Sequence, residues 1–461
     1  MVPTIIDTSN RIEVVSIAKK IEVNMAARRS CLEAYQLAEY KAAKNWLRRY
    51  RPDDESNLAQ VIGYLEAFYH VSQVEDWETA QALAQLPLPN GHELHKQLFV
   101  WGYYRQQQRL YKALFCHIDN VVDLVCLSGL GNLEDVWGNV DQSIEYHQQA
   151  LKLAQVLENE EARSAALGSL GNAYLSLKDF DRAIDYYQQQ LNLAEALEQP
   201  RLMGVALGGL SNSYREVAAY DLALDVTWRR IQVACSMGDR QGEGDGYCSL
   251  GSTYLVQGEL AQAMRALEQA VSIAQSLGHR LGECRALGNL GLVYKAWAQN
   301  DAAMDCFEQT LALANEIEDP AGQQLAILQL EALQRQWGDM VQALRYQQLA
   351  RKFVIEPLER AALLLNLGTS CRALKQWDAA VDCYRELLVV AALVDEVDEE
   401  QRLLRMMGLY CLALVYQAQG DRQRAWRYCR LALELSHPSV GPLVEKCLDL
   451  QQALADGRIW D

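Results

Sequence analysis

The chain has 461 residues, 50% of them hydrophobic, and a formal net charge of -17. That length allows about three ordinary domains. The acidic balance opposes the Lys and Arg footprint with which nucleic-acid binders displace counterions, so no nucleic-acid partner is expected. No window approaches the roughly 18 uninterrupted apolar residues of a membrane span, so any membrane association would be peripheral and pass through a partner. Arg11, Glu13, Lys19, Lys20 and Glu22 break every apolar run between Met1 and Cys31, so no secretion signal is read there and a cytoplasmic protein is expected. The 12 cysteines are scattered without a C-x-x-C pair. This argues for small core residues rather than a zinc ribbon or a redox motif.

Residues 1–123 read as helical but irregular, a set of divergent repeats that caps a more regular array. Gly63, Tyr64, Phe68 and Tyr69 mark a first helix, and Trp77 and Ala80 open a second. The stretch from Leu86 to Gly91 carries two prolines and a glycine, which remove donors and favour a turn, so it marks a boundary. His92 and His95 just beyond it stand three apart, but no third ligand is evident and the pattern is not H-E-x-x-H. No metal or cofactor is expected. Arg48, Arg49 and Arg51 form a local basic cluster, read either as a solvated helix face or as a dock for an acidic partner or an anionic surface.

Residues 124–355 repeat every 40 residues. Leucine returns at Leu130, Leu170, Leu210, Leu250, Leu290 and Leu330. A fixed period in this range is the signature of stacked supersecondary units, each with a hydrophobic face that only its neighbours bury. Within one period Leu170, Gly171 and Tyr174 share one helical stripe and Ala183, Tyr187 and Leu191 another, with a polar turn at Lys178 to Asp181 between them. Small residues at Gly131, Gly171, Gly251 and Gly291, and at Ala183, Ala223, Ala263, Ala303 and Ala343, let paired helices cross closely.

In residues 356–461 the period slips to 37 and then 45 residues, with units recognisable at Gly368 with Trp377 and Ala380, and at Ala413 with Gly420 and Ala425. Pro357 can start a helix without losing an internal bond. The acidic run Asp395 to Glu400 is expected in a turn, and Arg422, Arg424, Arg427 and Arg430 form a second basic cluster. After His437 and Pro438 a helix around Leu443 to Leu454 is expected to close the array.

Leu130-Gly131-Asn132, Leu170-Gly171-Asn172-Ala173-Tyr174 and Leu210-Ser211-Asn212-Ser213-Tyr214 resemble the tetratricopeptide repeats, in the 40-residue subclass named for its Leu-Gly-Asn signature (Pins/LGN). Leu250-Gly251-Ser252-Thr253-Tyr254 and Leu290-Gly291-Leu292-Val293-Tyr294 keep the frame, and junctions such as Met237-Gly238-Asp239-Arg240 and Leu277-Gly278-His279-Arg280 are similar too. The resemblance implies an all-α fold, a right-handed α-solenoid of stacked antiparallel helix pairs forming a tetratricopeptide superhelix. It places the tyrosines between helices and the first helices along a concave groove.

The resemblance further implies that Asn132, Asn172 and Asn212 hydrogen-bond the backbone of an extended peptide, which an amide can do because it both donates and accepts. The residues themselves leave open that these asparagines bond neighbouring helices instead. Asp135, Arg215, Arg285 and Lys295 are candidates for reading charges on the ligand. The positions before the Leu-Gly pair hold Gly168, Gly208, Cys248 and Gly288, so the set that clamps a chaperone's C-terminal carboxylate is missing. The expected function is a non-catalytic scaffold or adaptor that binds a segment of a partner protein in its groove, including a role as assembly factor for a larger complex. The alternatives are a regulatory sensor resembling peptide receptors, or an enzyme with a site in the irregular N-terminal region, for which no phosphate loop, nucleophile elbow or carboxylate pair is present.

Overall fold

A computed structural model of the chain describes residues 8–50, 56–88, 91–353, 357–392, 399–435 and 441–456. These residues are helical, with no strand among them beyond an isolated bridge between Pro87 and Glu93. The chain divides into two compact units, Met1–Val233 and Ala234–Asp461.

The first unit opens with α1 (Thr8–Ala27), α2 (Ala34–Arg49), α3 (Asn57–Gln73), α4 (Trp77–Ala84), α5 (Leu94–Val100) and α6 (Tyr104–Leu114). Helix α3 packs on α4, the pair expected from Gly63 and Trp77. Here Trp77 stacks on the His117 ring at 4.0 Å. Ile21, Tyr40, Leu83 and Leu98 are fully buried in one core that continues to Leu130. The chain leaves helix between α4 and α5, at the proline-rich stretch, of which Pro89 and Asn90 lie outside the described residues, as does Arg51 of the first basic cluster.

Regular pairs come next: α7 (Asn120–Trp137) with α8 (Val140–Val156), α9 (Glu160–Ser176) with α10 (Phe180–Ala196), and then α11 (Pro200–Glu216) and α12 (Tyr220–Met237). The second unit continues with α13 (Arg240–Gln257) on α14 (Leu260–Leu277), α15 (Arg280–Ala296) on α16 (Asn300–Glu316), and α17 (Pro320–Trp337) on α18 (Met340–Ala350). Then come α19 (Pro357–Ala373) on α20 (Trp377–Ala391), α21 (Glu399–Ala418) on α22 (Arg422–Glu434), and a last helix, α23 (Gly441–Asp456), packed against α22. Glu399 and Glu400 start α21 instead of lying in a turn, whereas Asp395 to Asp398, His437 and Pro438 are outside the described residues.

What closes each pair is a residue-to-residue match. A Cβ added at Gly131 would stand 2.5 Å from His147, at Gly171 2.7 Å from Tyr187, at Gly251 2.5 Å from Leu267, at Gly291 2.7 Å from Phe307 and at Gly368 2.5 Å from Tyr384. The large side chain of the second helix lies in the space that glycine leaves. In two repeats that replace the glycine the partner is polar: Ser211 Oγ meets Thr227 Oγ1 at 2.6 Å, and Gln347 Nε2 donates to Glu331 Oε1 at 2.7 Å.

The turns reuse one device. The residue at the left-handed position is glycine at Gly258 and Gly338, but Lys178 and Ala298 adopt it as well, with φ of 59° and 58°. An aspartate often comes after it and accepts from the backbone of the next helix, as Asp339 does from Val341 and Gln342.

Candidate functional site

Several first helices pack on the next first helix as well as on their own partners. In the first unit α7 contacts α9 and α9 contacts α11; in the second, α13 contacts α15, α15 contacts α17 and α19 contacts α21. From α7 onward, no two successive second helices pack to that extent among the described residues. The first helices therefore stand on the tighter side of these stacks.

Side chains meet across these seams in a repeating register. Asn289 Nδ2 on α15 donates to Ser252 Oγ on α13 at 3.0 Å. Lys295 Nζ on α15 donates to Gln329 Oε1 on α17 at 2.7 Å, and Arg335 Nη1 on α17 contacts Asn366 Oδ1 on α19 at 3.4 Å. In each case the residue before the Leu-Gly position of one first helix meets a residue beyond it on the preceding first helix.

Asn132 on α7 is exposed and Asn212 on α11 half-buried, and neither makes a side-chain hydrogen bond to another described residue. Asn172 on α9 is exposed but engaged: its Oδ1 accepts from the Tyr187 hydroxyl at 2.5 Å, leaving its amide nitrogen to outside acceptors. Burial pushes the Tyr187 phenol up to about 12, so it stays a donor. Asp135, exposed on α7, has its carboxylate 3.2 Å from Nε2 of the buried His147. Arg215 reaches Glu216 at 3.9 Å.

Arg285 is exposed and lines, with Gln241, Ile273, Leu277 and His279, a small open depression between α13, α14 and α15. Lys295 is half-buried in the α15–α17 seam. The structure thus gathers the predicted residues onto first helices, divided between the two units rather than in one cluster. Sequence reasoning misses Arg335 and Arg372. Each stands four residues after the second residue of its Leu-Gly position, as Lys295 stands after Gly291, but at Leu330-Glu331 the glycine that flags the frame is gone.

The N-terminal histidine is a core residue. His95 is 4% exposed, with Nδ1 2.9 Å from the Tyr111 hydroxyl and Nε2 2.9 Å from Glu93. Burial pushes its pKa down, against the pull of Glu93. Among the described residues no group of three or more His, Cys, Asp or Glu side chains is placed to hold a metal ion. Seven cysteines, including Cys284, Cys429 and Cys447, are buried as expected, but Cys31, Cys116 and Cys235 are exposed. Within the Arg422 cluster, Arg424 is paired to Asp421 at 3.3 Å and Arg430 to Glu434 at 3.4 Å.

Residues 125–196 and 245–316 match one tetratricopeptide repeat model and residues 363–401 another. The chain contains tetratricopeptide repeats. None of the curated proteins matches its sequence. Among solved structures, this chain is similar to BtubC from P. vanneervenii at 17% identity and a TM-score of 0.38, over 49% of this chain and 88% of that one. It is similar to a Rap protein complexed with Competence and Sporulation Factor at 14% identity and 0.46, over 81% and 98%. A third similar structure is a Signal Transduction ATPase with Numerous Domains from Pyrococcus horikoshii with a tetratricopeptide repeat sensor, at 16% and 0.43, over 93% of this chain and 56% of that one. No helix of the described residues is long and apolar enough to cross a membrane.

Proposed function

We propose that this protein is a non-catalytic adaptor that holds an extended segment of another protein along the first-helix face of its repeats, in the manner of an assembly factor. The observation that carries this reading is the register of donors and acceptors along that face: Asn132 and the Asn172 amide nitrogen in the first unit, and the Asn289, Lys295 and Arg335 seams in the second. An extended backbone presents alternating donors and acceptors, and amides spaced by one helix can grip it without reading its sequence. The face is built before the ligand arrives, so the receptor loses little conformational entropy on binding.

The test compares partners captured from native extract by wild-type protein and by the Asn132→Ala, Asn172→Ala, Asn212→Ala triple variant, with circular dichroism on both. Partners retained by wild type and lost from a folded variant are the expected result. Identical profiles from two folded proteins would remove the asparagines from the binding face.

A further inference from the structure

Charge on the second unit's first-helix face is sorted against the composition of the chain. The protein carries 60 Asp and Glu against 43 Lys and Arg. Yet on α15, α17, α19 and α21 the positions that share the Leu-Gly-flanking face hold Arg285, Lys295, Arg335 and Arg372 and no acid. Side chains around them are amides and hydroxyls such as Asn289, Gln329, Asn366 and Thr369, all partly or fully exposed. The acid nearest the ladder, Glu331, is 8% exposed and turned into the α17–α18 interface, where Gln347 holds it; Arg335 reaches it at 3.5 Å.

The cations occupy consecutive seams. Lys295 lies between α15 and α17, and Arg335 between α17 and α19. Arg372, at the same repeat position on α19, stands near Tyr384, Tyr410 and Cys411, and its Nε is buried without a hydrogen-bond partner. Gln417, the equivalent residue on α21, likewise has a buried Nε2 with no partner. A buried donor left unpaired is costly, so a reorientation of either side chain toward an acceptor supplied from outside would relieve that cost.

We propose that the second unit's first-helix face binds an acidic extended peptide whose carboxylates sit opposite Lys295, Arg335 and Arg372, with Arg285 toward one end. This rests on the reading of that face as a peptide-binding surface and narrows the ligand. Helices in contact lie about 8–10 Å apart, a distance covered by about three residues of extended chain at 3.3–3.6 Å each. The register that fits is therefore an acid at every third residue. A guanidinium offers a carboxylate two parallel hydrogen bonds, which a neutral ligand cannot accept at full strength.

Fluorescence anisotropy tests it, using a labelled 12-residue Gly/Ser peptide with Glu at every third position, the same peptide with Lys in those places, and a Ser-only control. The expected result is that the Glu peptide binds best, loses affinity as salt rises, and binds at least about tenfold more weakly to Lys295→Glu/Arg285→Glu protein, a change of about 1.4 kcal/mol. Both substituted residues are accessible, and circular dichroism checks the fold. Arg372→Gln serves as a second variant, expected to weaken the Glu peptide and leave the Ser control unchanged. Equal binding of the three peptides, or a Glu peptide unaffected by the charge reversals, overturns the acidic register while leaving peptide binding on the face intact. Displacement of the Glu peptide by duplex DNA at equal charge concentration overturns it in favour of phosphate recognition. If no peptide binds while the asparagine triple variant still loses captured partners, the acidic proposal fails alone; if neither effect is seen, both readings fail.

Discussion

Gly291 and Phe307 occupy a single shared space: a Cβ built on the glycine would lie 2.7 Å from the phenyl ring. Phe307 is fully buried, so the ring has no route of escape. Gly291→Ala should force a repacking that costs about 1–3 kcal/mol, against a gain of about 1 kcal/mol in helix propensity. A net loss is expected, read as a lower urea midpoint. Gly204→Ala on α11 is the contrast, because nothing lies within 4 Å of its added Cβ. There the helix term acts alone, and a gain of about 0.5–1 kcal/mol is expected.

The same contact position predicts an exchange between repeats. Glu331 and Gln347 hold the place of Gly291 and Phe307 one period on, joined by a 2.7 Å hydrogen bond. Gln347→Phe alone adds volume and strips a buried carboxylate of its donor, which should cost about 3 kcal/mol or more. Glu331→Gly/Gln347→Phe together install the glycine-ring pair of the preceding repeat, and should return stability to within about 1 kcal/mol of wild type. A double-mutant cycle from urea denaturation reads the coupling; additive losses would show that the two positions do not act as a pair.

The repeat is legible because a 40-residue period brings one residue type to one contact over and over, so Leu130 through Leu330 and the facing alanines announce the helix pairs without any long-range information. Contacts whose chemistry changes between repeats are harder to read. Ser211 with Thr227 and Glu331 with Gln347 look like departures from a signature until the facing residue is seen to change with them. Asn172 shows another limit: its neighbours in sequence say nothing of Tyr187, fifteen residues on, whose hydroxyl takes the amide oxygen. Arg335 and Arg372 escape a glycine signature that fails at Glu331 and shifts register before Gly368. Cys31, Cys116 and Cys235 lie at or near helix ends, where period and burial part company.

Acid should loosen the first unit. His95 is held neutral by burial, so its folded pKa lies below the ordinary value of 6.5. The unfolded chain then binds the proton first, and stability present above that value is lost as pH falls from about 6.5 through the folded pKa. Glu93 adds to the loss lower down. Burial works against its charged form, but hydrogen bonds from Lys96 and His95 hold its pKa below the ordinary 4.5, so its contribution disappears as pH falls from there. Hydrogen exchange in α5 and α6 between pH 7.5 and 5 should show protection decreasing with acid. In His95→Gln protein the step that begins near pH 6.5 should vanish, and a step that persists would assign it to another group.

The left-handed turn residues set up a final pair of opposite expectations. Ala298 adopts a φ of 58° between α15 and α16, while Gly258 does the same job with a φ of 87° between α13 and α14. An L-residue in this conformation carries a penalty of about 1–2 kcal/mol, whereas glycine avoids it at the expense of about 0.5–1 kcal/mol of unfolded-state entropy. Ala298→Gly should therefore raise the denaturation midpoint of the second unit slightly, by up to about 1 kcal/mol. Gly258→Ala should lower it by a similar amount. No atom lies within 4 Å of a Cβ added at Gly258, so a loss there can come only from the backbone. If Gly258→Ala left the midpoint unchanged, the turn would have to be choosing its residue for reasons other than conformation.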